Sequence, residues 1–134
     1  MKITESEIER LKNFITSLNS KKDSIVVVEG KHDSAALKKL GFSGKICEFH
    51  SFKGLTRFAD SIGSYKRLIV LLDHDRKGRY FTSRIISELE HRIIIDLSFK
   101  RRLTSITKGK IRHIEDLSVY WQPKQDRFVY QTQP

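Results

Sequence analysis

Hydrophobic residues along the chain occur in two kinds of segment, short apolar runs and longer stretches with helical spacing. The apolar runs are SIVVVE (24–29), KICEF (45–49), RLIVLLD (67–73) and RIIID (92–96). Runs of this length, without alternation of polar and apolar residues, are typical of strands buried on both faces. The sequence therefore predicts four short, buried strands.

Between these runs, apolar residues recur three and four positions apart, which predicts helices. The first helix is expected in TESEIERLKNFITSLNS (4–20), where Thr4 and Glu7 have the spacing of an N-terminal capping box. The other predicted helices are DSAALKKLG (33–41), LTRFADSIG (55–63), RKGRYFTSRIISELEH (76–91) and LSFKRRLTSITKG (97–109), with a further turn or two in IEDLSVYW (114–121).

Alternating strands and helices favour an α/β fold in which a parallel sheet lies between helical layers. We predict a compact three-layer, Rossmann-like domain with four parallel strands in the order 2-1-3-4 and helices on both faces. Residues 1–22 are expected to form an N-terminal helix packed on the domain, residues 23–122 the domain, and residues 123–134 a flexible or partner-dependent tail. Ligands of such sheets bind beyond the carboxyl ends of the strands, where the strand order reverses. Here that point falls between strands one and three.

The composition adds a charge and a compartment to this picture. Among 134 residues, 26 Lys and Arg face 16 Asp and Glu, a net charge of +10 that favours a polyanionic partner such as RNA or DNA. Cys47 is the only cysteine, which excludes an intrachain disulfide and favours the cytoplasm. No apolar run approaches the roughly 20 residues of a membrane-spanning helix, and the acidic N-terminus is unlike a secretory signal, so no membrane partner is expected.

Acidic residues follow two of the predicted strands, Glu29 after the first and Asp73 and Asp75 after the third. In extended backbone, residues two apart point to the same side, so both aspartates can face one cation while His74 points away. Clustered carboxylate oxygens suit a hard cation, Mg²⁺ or Mn²⁺. Such a cation would relieve the repulsion between the three acids.

Basic residues accompany the acids at both strand ends. Lys31 lies in the first loop, and Arg76, Lys77 and Arg79 surround Gly78, where the chain turns into the next helix. A helix N-terminus flanked by cations is suited to binding phosphate. The sequence therefore predicts a phosphate or nucleic-acid site beside the metal site.

Each acid also has a purely structural interpretation. Asp73 and Asp75 could be loop and capping residues, Glu29 could pair with a lysine, and Asp33 is expected to cap a helix rather than bind metal. Glu115 and Asp116 are expected to complement the dipole of a helix in its first turn. The combination of acid, glycine and base at two strand ends is more specific than either end alone.

Two further groups carry weaker signals. Cys47 and His50 have the spacing of half a zinc site, but no second pair exists, so they are expected in the core and on the surface. The basic C-terminal third also contains aromatic residues on which bases could stack, although some are expected to pack on the sheet. These aromatic residues are Tyr120, Trp121, Phe128 and Tyr130.

The segments VVVEGKHD (26–33) and LLDHDRKGR (71–79) strongly resemble the two motifs of the Toprim domain. This domain is shared by topoisomerases, bacterial-type primases, OLD-family nucleases and the ribonucleases that trim ribosomal RNA precursors. The resemblance covers residues 24–117, and DHDRKGR (73–79) with IRHIEDL (111–117) resembles the small stand-alone Toprim proteins of archaea. It implies a Toprim fold with Mg²⁺ held chiefly by Asp73 and Asp75, and Glu29 as metal ligand or general acid/base.

Two functions follow from this resemblance. The first is a metal-dependent phosphodiester enzyme, a nuclease or RNA-processing factor, in which Glu29 and Lys31 are catalytic and Arg76 assists. The second is a non-catalytic nucleic-acid-binding or scaffold module that acts within a larger complex. A topoisomerase or a complete primase is not expected, because the chain has no room for a second domain.

Overall fold

The computed structural model describes residues 3–121. Within this range the helices are α1 (Glu5–Asn19), α2 (Lys31–Lys39), α3 (Leu55–Ile62), α4 (Arg76–Leu89) and α5 (Ser98–Thr107). The strands are β1 (Ser24–Val28), β2 (Ile46–Glu48), β3 (Arg67–Val70) and β4 (Ile94–Asp96). Two 3-10 helices span Phe49–Ser51 and Ile114–Tyr120. None of the helices in residues 3–121 combines the length and the apolar character that crossing a membrane requires.

The four strands form one parallel sheet in the order β2-β1-β3-β4, which confirms the predicted topology. Val27 of β1 lies opposite Cys47 of β2 and Val70 of β3, so β1 is bonded on both sides. Because β1 and β3 are parallel neighbours, their carboxyl ends lie at the same edge of the sheet. The chain segments that carry Glu29 and Asp73 therefore leave the sheet side by side.

Each face of the sheet is covered by its own set of helices, as expected for a three-layer, Rossmann-like α/β fold. Val26 and Val28 face a core built with α1, α2, α5 and the 3-10 helix Ile114–Tyr120. Val27 and Val70 face the opposite core, formed with α3 and α4. Successive strand side chains point to opposite faces, so uninterrupted apolar runs are what this arrangement requires.

A buried acid joins α1 to the last described part of the chain. Thr4 caps α1 as predicted, since its hydroxyl oxygen accepts the Glu7 backbone N–H at 3.1 Å. The Glu7 carboxylate is buried and accepts hydrogen bonds from Lys110 Nζ and the Tyr120 hydroxyl, both at 2.8 Å. These bonds, led by the one from Lys110, lower the pKa of Glu7. The segment between Lys110 and Tyr120 is thereby anchored on the first helix.

Candidate active site

Glu29 lies directly after β1, where it is only 5% exposed. Its Oε2 accepts a hydrogen bond from the backbone N–H of Asp73 at 3.0 Å. His50, in the 3-10 helix after β2, places Nε2 3.6 Å from Glu29 Oε1. The buried carboxylate is thus held between the ends of β3 and β2 at the edge where the strand order reverses.

Asp73 and Asp75 each use one carboxylate oxygen to accept a backbone hydrogen bond. Asp73 Oδ1 accepts from Ile114 N at 2.8 Å, and Asp75 Oδ1 accepts from Gly78 N at 2.7 Å as the N-cap of α4. The structural interpretation of Asp75 as a capping residue is therefore correct, and it leaves the second oxygen available. Both aspartates are held by the backbone without any bond between them.

The second oxygens of these aspartates converge on His113. Its Nδ1 lies 3.4 Å from Asp73 Oδ2 and 3.5 Å from Asp75 Oδ2. The three ligand atoms all lie within 4.8 Å of one another, a spacing compatible with one metal ion. The hydrogen bond to Asp73 raises the pKa of His113. Among the described residues, this potential metal group contains His113 where the sequence had suggested Glu29, and a ligand role for Glu29 stays a prediction.

The charges of the site change the ionisation of Glu29. Burial raises its pKa from 4.5 to about 7, and the negative charges of Asp73 and Asp75 act in the same direction. Lys100 of α5 lies among these acids: its Nζ donates to the carbonyl oxygen of Leu72. Burial lowers the pKa of Lys100, while Asp73 and Glu29 oppose that shift. Lys100, which belongs to the basic C-terminal third, thus adds a basic side chain to the site where the sequence had not placed one.

Gly78 permits an unusually close approach of α4 to the site. A Cβ atom at this position would lie 1.9 Å from the carbonyl oxygen of Asp73, far inside van der Waals contact. The sequence had placed Gly78 where the chain turns into α4, but the helix begins at Arg76, so Gly78 lies within its first turn and glycine is needed there for a different reason. The structural reason is the lack of space between Gly78 and the backbone of Asp73.

Other acids near the site support the structure around it. Asp33 is buried and accepts from Gly30 N at 3.0 Å and from Glu115 N at 2.9 Å. It is not the N-cap that the sequence predicted, because α2 begins earlier, at Lys31, with Gly30 as its N-cap; Asp33 supports that cap from the first turn of the helix. Glu115 and Asp116 lie in the first turn of the 3-10 helix Ile114–Tyr120, as expected. Asp33 thereby links α2 to the segment that carries His113.

Cys47 and His50 do not form a metal group within residues 3–121. Cys47 is half-buried, and burial raises its thiol pKa to about 12, as befits a core residue. His50 is exposed, as expected, but it also contacts Glu29. The sequence had given no sign of that contact. Phe128 and Tyr130 lie outside the described residues.

The predicted phosphate-binding residues occupy two helix N-termini at this edge of the sheet. Lys31 is the first residue of α2, and Arg76, Lys77 and Arg79 belong to the first turn of α4. All four side chains are exposed. Because Asp75 caps α4, the basic residues of its first turn lie next to Asp73 and Asp75. A phosphate group bound by these basic residues would therefore lie beside the candidate metal site.

Glu29 should make the stability of the cation-free protein depend on pH. Because its folded-state pKa is raised from 4.5 to about 7, its contribution is fully present below pH 4.5 and is lost as pH rises through 7. Relative to Glu29→Gln, the wild type should lose about 3 kcal/mol of unfolding free energy between about pH 4 and pH 8. Urea denaturation in chelator measures this difference, and parallel pH profiles for the two proteins would contradict it.

Comparison with known proteins finds similar sequences in archaea. It is 32% identical to a UPF0292 protein of Thermococcus sibiricus, over 92% of this chain and 93% of that protein. A UPF0292 protein of Pyrococcus abyssi is also 32% identical, over 87% of this chain and 82% of the relative. A solved structure, a putative protein from Aquifex aeolicus, has a TM-score of 0.64 at 24% identity and supports the fold alone; it covers 79% of this chain and 96% of its own. No protein-family model matches the chain.

Proposed function

The chain belongs to the UPF0292 family, and we propose that it is a Toprim-type, metal-dependent enzyme that cleaves phosphodiester bonds in nucleic acid. A nuclease or an RNA-processing factor fits this description. The observation that carries the proposal is the convergence of Asp73 Oδ2, Asp75 Oδ2 and His113 Nδ1 beside the buried carboxylate of Glu29. Carboxylates this close together repel one another, and a bound cation would offset that repulsion.

The donor atoms fit a divalent cation held by Asp73, Asp75 and His113. Carboxylate oxygens suit Mg²⁺ and Mn²⁺ alike, while an imidazole nitrogen favours Mn²⁺ over Mg²⁺. When bound, such a cation supplies positive charge that stabilises the transferring phosphoryl group. Mn²⁺ is therefore the first cation to test, with Mg²⁺ as the alternative.

Glu29 would act on a proton. Without a cation the pKa of Glu29 is raised to about 7. The charge of a bound cation would lower that pKa again, so the carboxylate would be ionised and suited to accept the proton of an attacking water. Its Oε2 is fixed by the Asp73 N–H, which leaves Oε1, on the side of His50, for this exchange. Lys100 and Lys31 would offset the negative charge that gathers at the site.

The exposed cations would hold the substrate. The first turn of α4 places Arg76, Lys77 and Arg79 at a helix N-terminus, an arrangement that attracts phosphate. The net charge of +10 favours RNA or DNA as the partner. We further propose that the protein acts in the cytoplasm, alone or within a larger nucleic-acid-processing complex.

The proposal is tested by incubating the protein with labelled single- and double-stranded RNA and DNA in Mn²⁺ or Mg²⁺. We expect cleavage of at least one substrate, and a loss of about a hundredfold or more in Glu29→Gln, because general-base catalysis is typically worth that much. Glu88→Gln, an exposed acid on α4, removes the same charge away from the site and should cleave normally.

Binding without cleavage on all four substrates would contradict the enzyme and favour the non-catalytic binding module. That module would still require an affinity that falls steeply with salt, because phosphate contacts release counterions. An affinity independent of salt would contradict both functions.

A further inference from the structure

A groove of about 420 Å³ opens next to the acidic site. It lies between the 3-10 helix after β2, the start of α3 and one face of α4. Its lining residues are Phe49, His50, Phe52, Gly54, Leu55, Lys77, Phe81 and Arg84. A volume of this size is within the range of small-molecule binding sites.

One wall of the groove is a supported layer of aromatic rings. The ring centroids of Phe49 and Phe81 are 4.9 Å apart, and both side chains are half-buried. Phe49 also packs edge to face on the fully buried Phe58, with centroids 5.2 Å apart. The wall therefore has a firm base in the core and leaves apolar ring surface toward the groove.

The charge of the groove is positive. Lys77 and Arg84 line it together with His50, and no carboxylate is among the described lining residues. Lys77 Nζ lies 5.9 Å from the centroid of the Phe81 ring. α3 starts at the groove after Gly54 with no side-chain cap among the described residues, so its first N–H groups are available. A ligand that joins an anionic group to a flat ring would complement both the positive charge and the aromatic wall of this groove.

The groove is continuous with the site of proposed chemistry. His50 lines the groove, and its Nε2 is 3.6 Å from Glu29 Oε1. Lys77 follows Asp75 by two residues in the first turn of α4. A phosphate bound in the groove beside the first turn of α4 would thus lie near Glu29 and Asp75.

We propose that this groove binds one unpaired nucleotide of a single-stranded nucleic acid, with its base against Phe49 and Phe81 and its phosphate toward Lys77 and Arg84. That the ligand is a nucleic acid rests on the proposed function. The groove adds that the nucleic acid is single-stranded. A paired base is stacked within a duplex and cannot enter without being unpaired. The site therefore selects single strands or frayed ends over intact duplexes.

The test measures fluorescence anisotropy of a short labelled oligouridylate and of an RNA duplex of equal length, in chelator so that no cleavage occurs. Phe81→Leu, which keeps an apolar side chain, should weaken single-strand binding about tenfold and leave duplex binding unchanged, because loss of one base–ring stack has this magnitude. Lys77→Gln should weaken single-strand binding and reduce its salt dependence.

Lys22→Gln provides a matched control, because Lys22 is exposed just before β1, at the opposite edge of the sheet. It should change single-strand affinity much less than Lys77→Gln does. Thermal unfolding by circular dichroism verifies that each variant is folded, and exposed Lys77 keeps the test informative if Phe81→Leu unfolds.

Wild-type single-strand affinity in both groove variants would overturn the proposal. An equal loss on single strands and duplexes in Phe81→Leu would also overturn it, since it would exclude base stacking. A different result would disprove only the proposed enzymatic function: oligouridylate binding that depends on Phe81, with no cleavage in Mn²⁺ or Mg²⁺. That result would keep the groove and remove the catalytic function.

Discussion

Asp73→Asn is expected to abolish tight divalent-cation binding and to lower the cleavage rate by at least about a hundredfold, since even outer-shell partners of metal ligands can be worth that factor. Asparagine retains an oxygen that can accept the Ile114 N–H, now 2.8 Å from Asp73 Oδ1. The substitution therefore preserves the backbone contact while it removes the negative charge that faces Asp75 and His113. Loss of function should not come from loss of folding.

Titration with Mn²⁺, followed by electron paramagnetic resonance or calorimetry, measures this effect without any substrate. Asp60→Asn is the matched control, because it removes the same charge from an exposed aspartate on α3, outside the site. His113→Asn should weaken Mn²⁺ binding more than Mg²⁺ binding, since the lost ligand is an imidazole nitrogen. Undiminished Mn²⁺ binding by Asp73→Asn would contradict the proposed metal site.

Gly78→Ala is expected to lower the free energy of unfolding by on the order of 3 kcal/mol, at the upper end of the usual cost of overpacking. The added Cβ would lie 1.9 Å from the carbonyl oxygen of Asp73, and 3.0 Å from its nitrogen. Backbone atoms cannot rotate away as a side chain can. Relief requires α4 to move away from Asp73, which would also displace Asp75 and so weaken cation binding.

Gly63→Ala supplies the comparison for this substitution. Gly63 ends α3 with a φ of −62°, and an added Cβ would meet its nearest neighbours at 3.7 and 3.8 Å, which is ordinary contact. Its effect should be neutral or stabilising by about 0.5 kcal/mol, through the restricted unfolded chain. Urea denaturation of both variants tests the difference, and equal stabilities would show that α4 has room beside Asp73.

The layout of the sheet could be predicted because its physical cause is local. Uninterrupted valine and leucine runs such as Val26–Val28 are typical of strands buried on both faces, and alternation with helices favours a parallel sheet between helical layers. Once β1 and β3 are neighbours, the acids that follow them must share one edge. Given that strand order, the proximity of Glu29 to Asp73 follows from their positions in the sequence.

The contributions of His113, Lys100 and His50 to the site have no local cause. Ile114 and Asp73 are 41 residues apart in sequence, and their hydrogen bond follows from packing of the last 3-10 helix against α2. The segment IRHIEDL was singled out for its resemblance to archaeal Toprim proteins, and no role was assigned to His113, the residue in it that faces the aspartates. A short spacing rule such as D-x-D finds ligands on one segment and misses those that tertiary packing supplies.

The bonds from Lys110 and Tyr120 to Glu7 have a consequence for how the protein is made. They flank His113 and fix its segment on α1, which leaves the ribosome well before that segment does. During translation, Asp73 and Asp75 are complete some forty residues before the imidazole that faces them has been synthesised. The nascent chain thus carries its acids without their third partner. The site assembles only when the beginning and the end of the described chain have met.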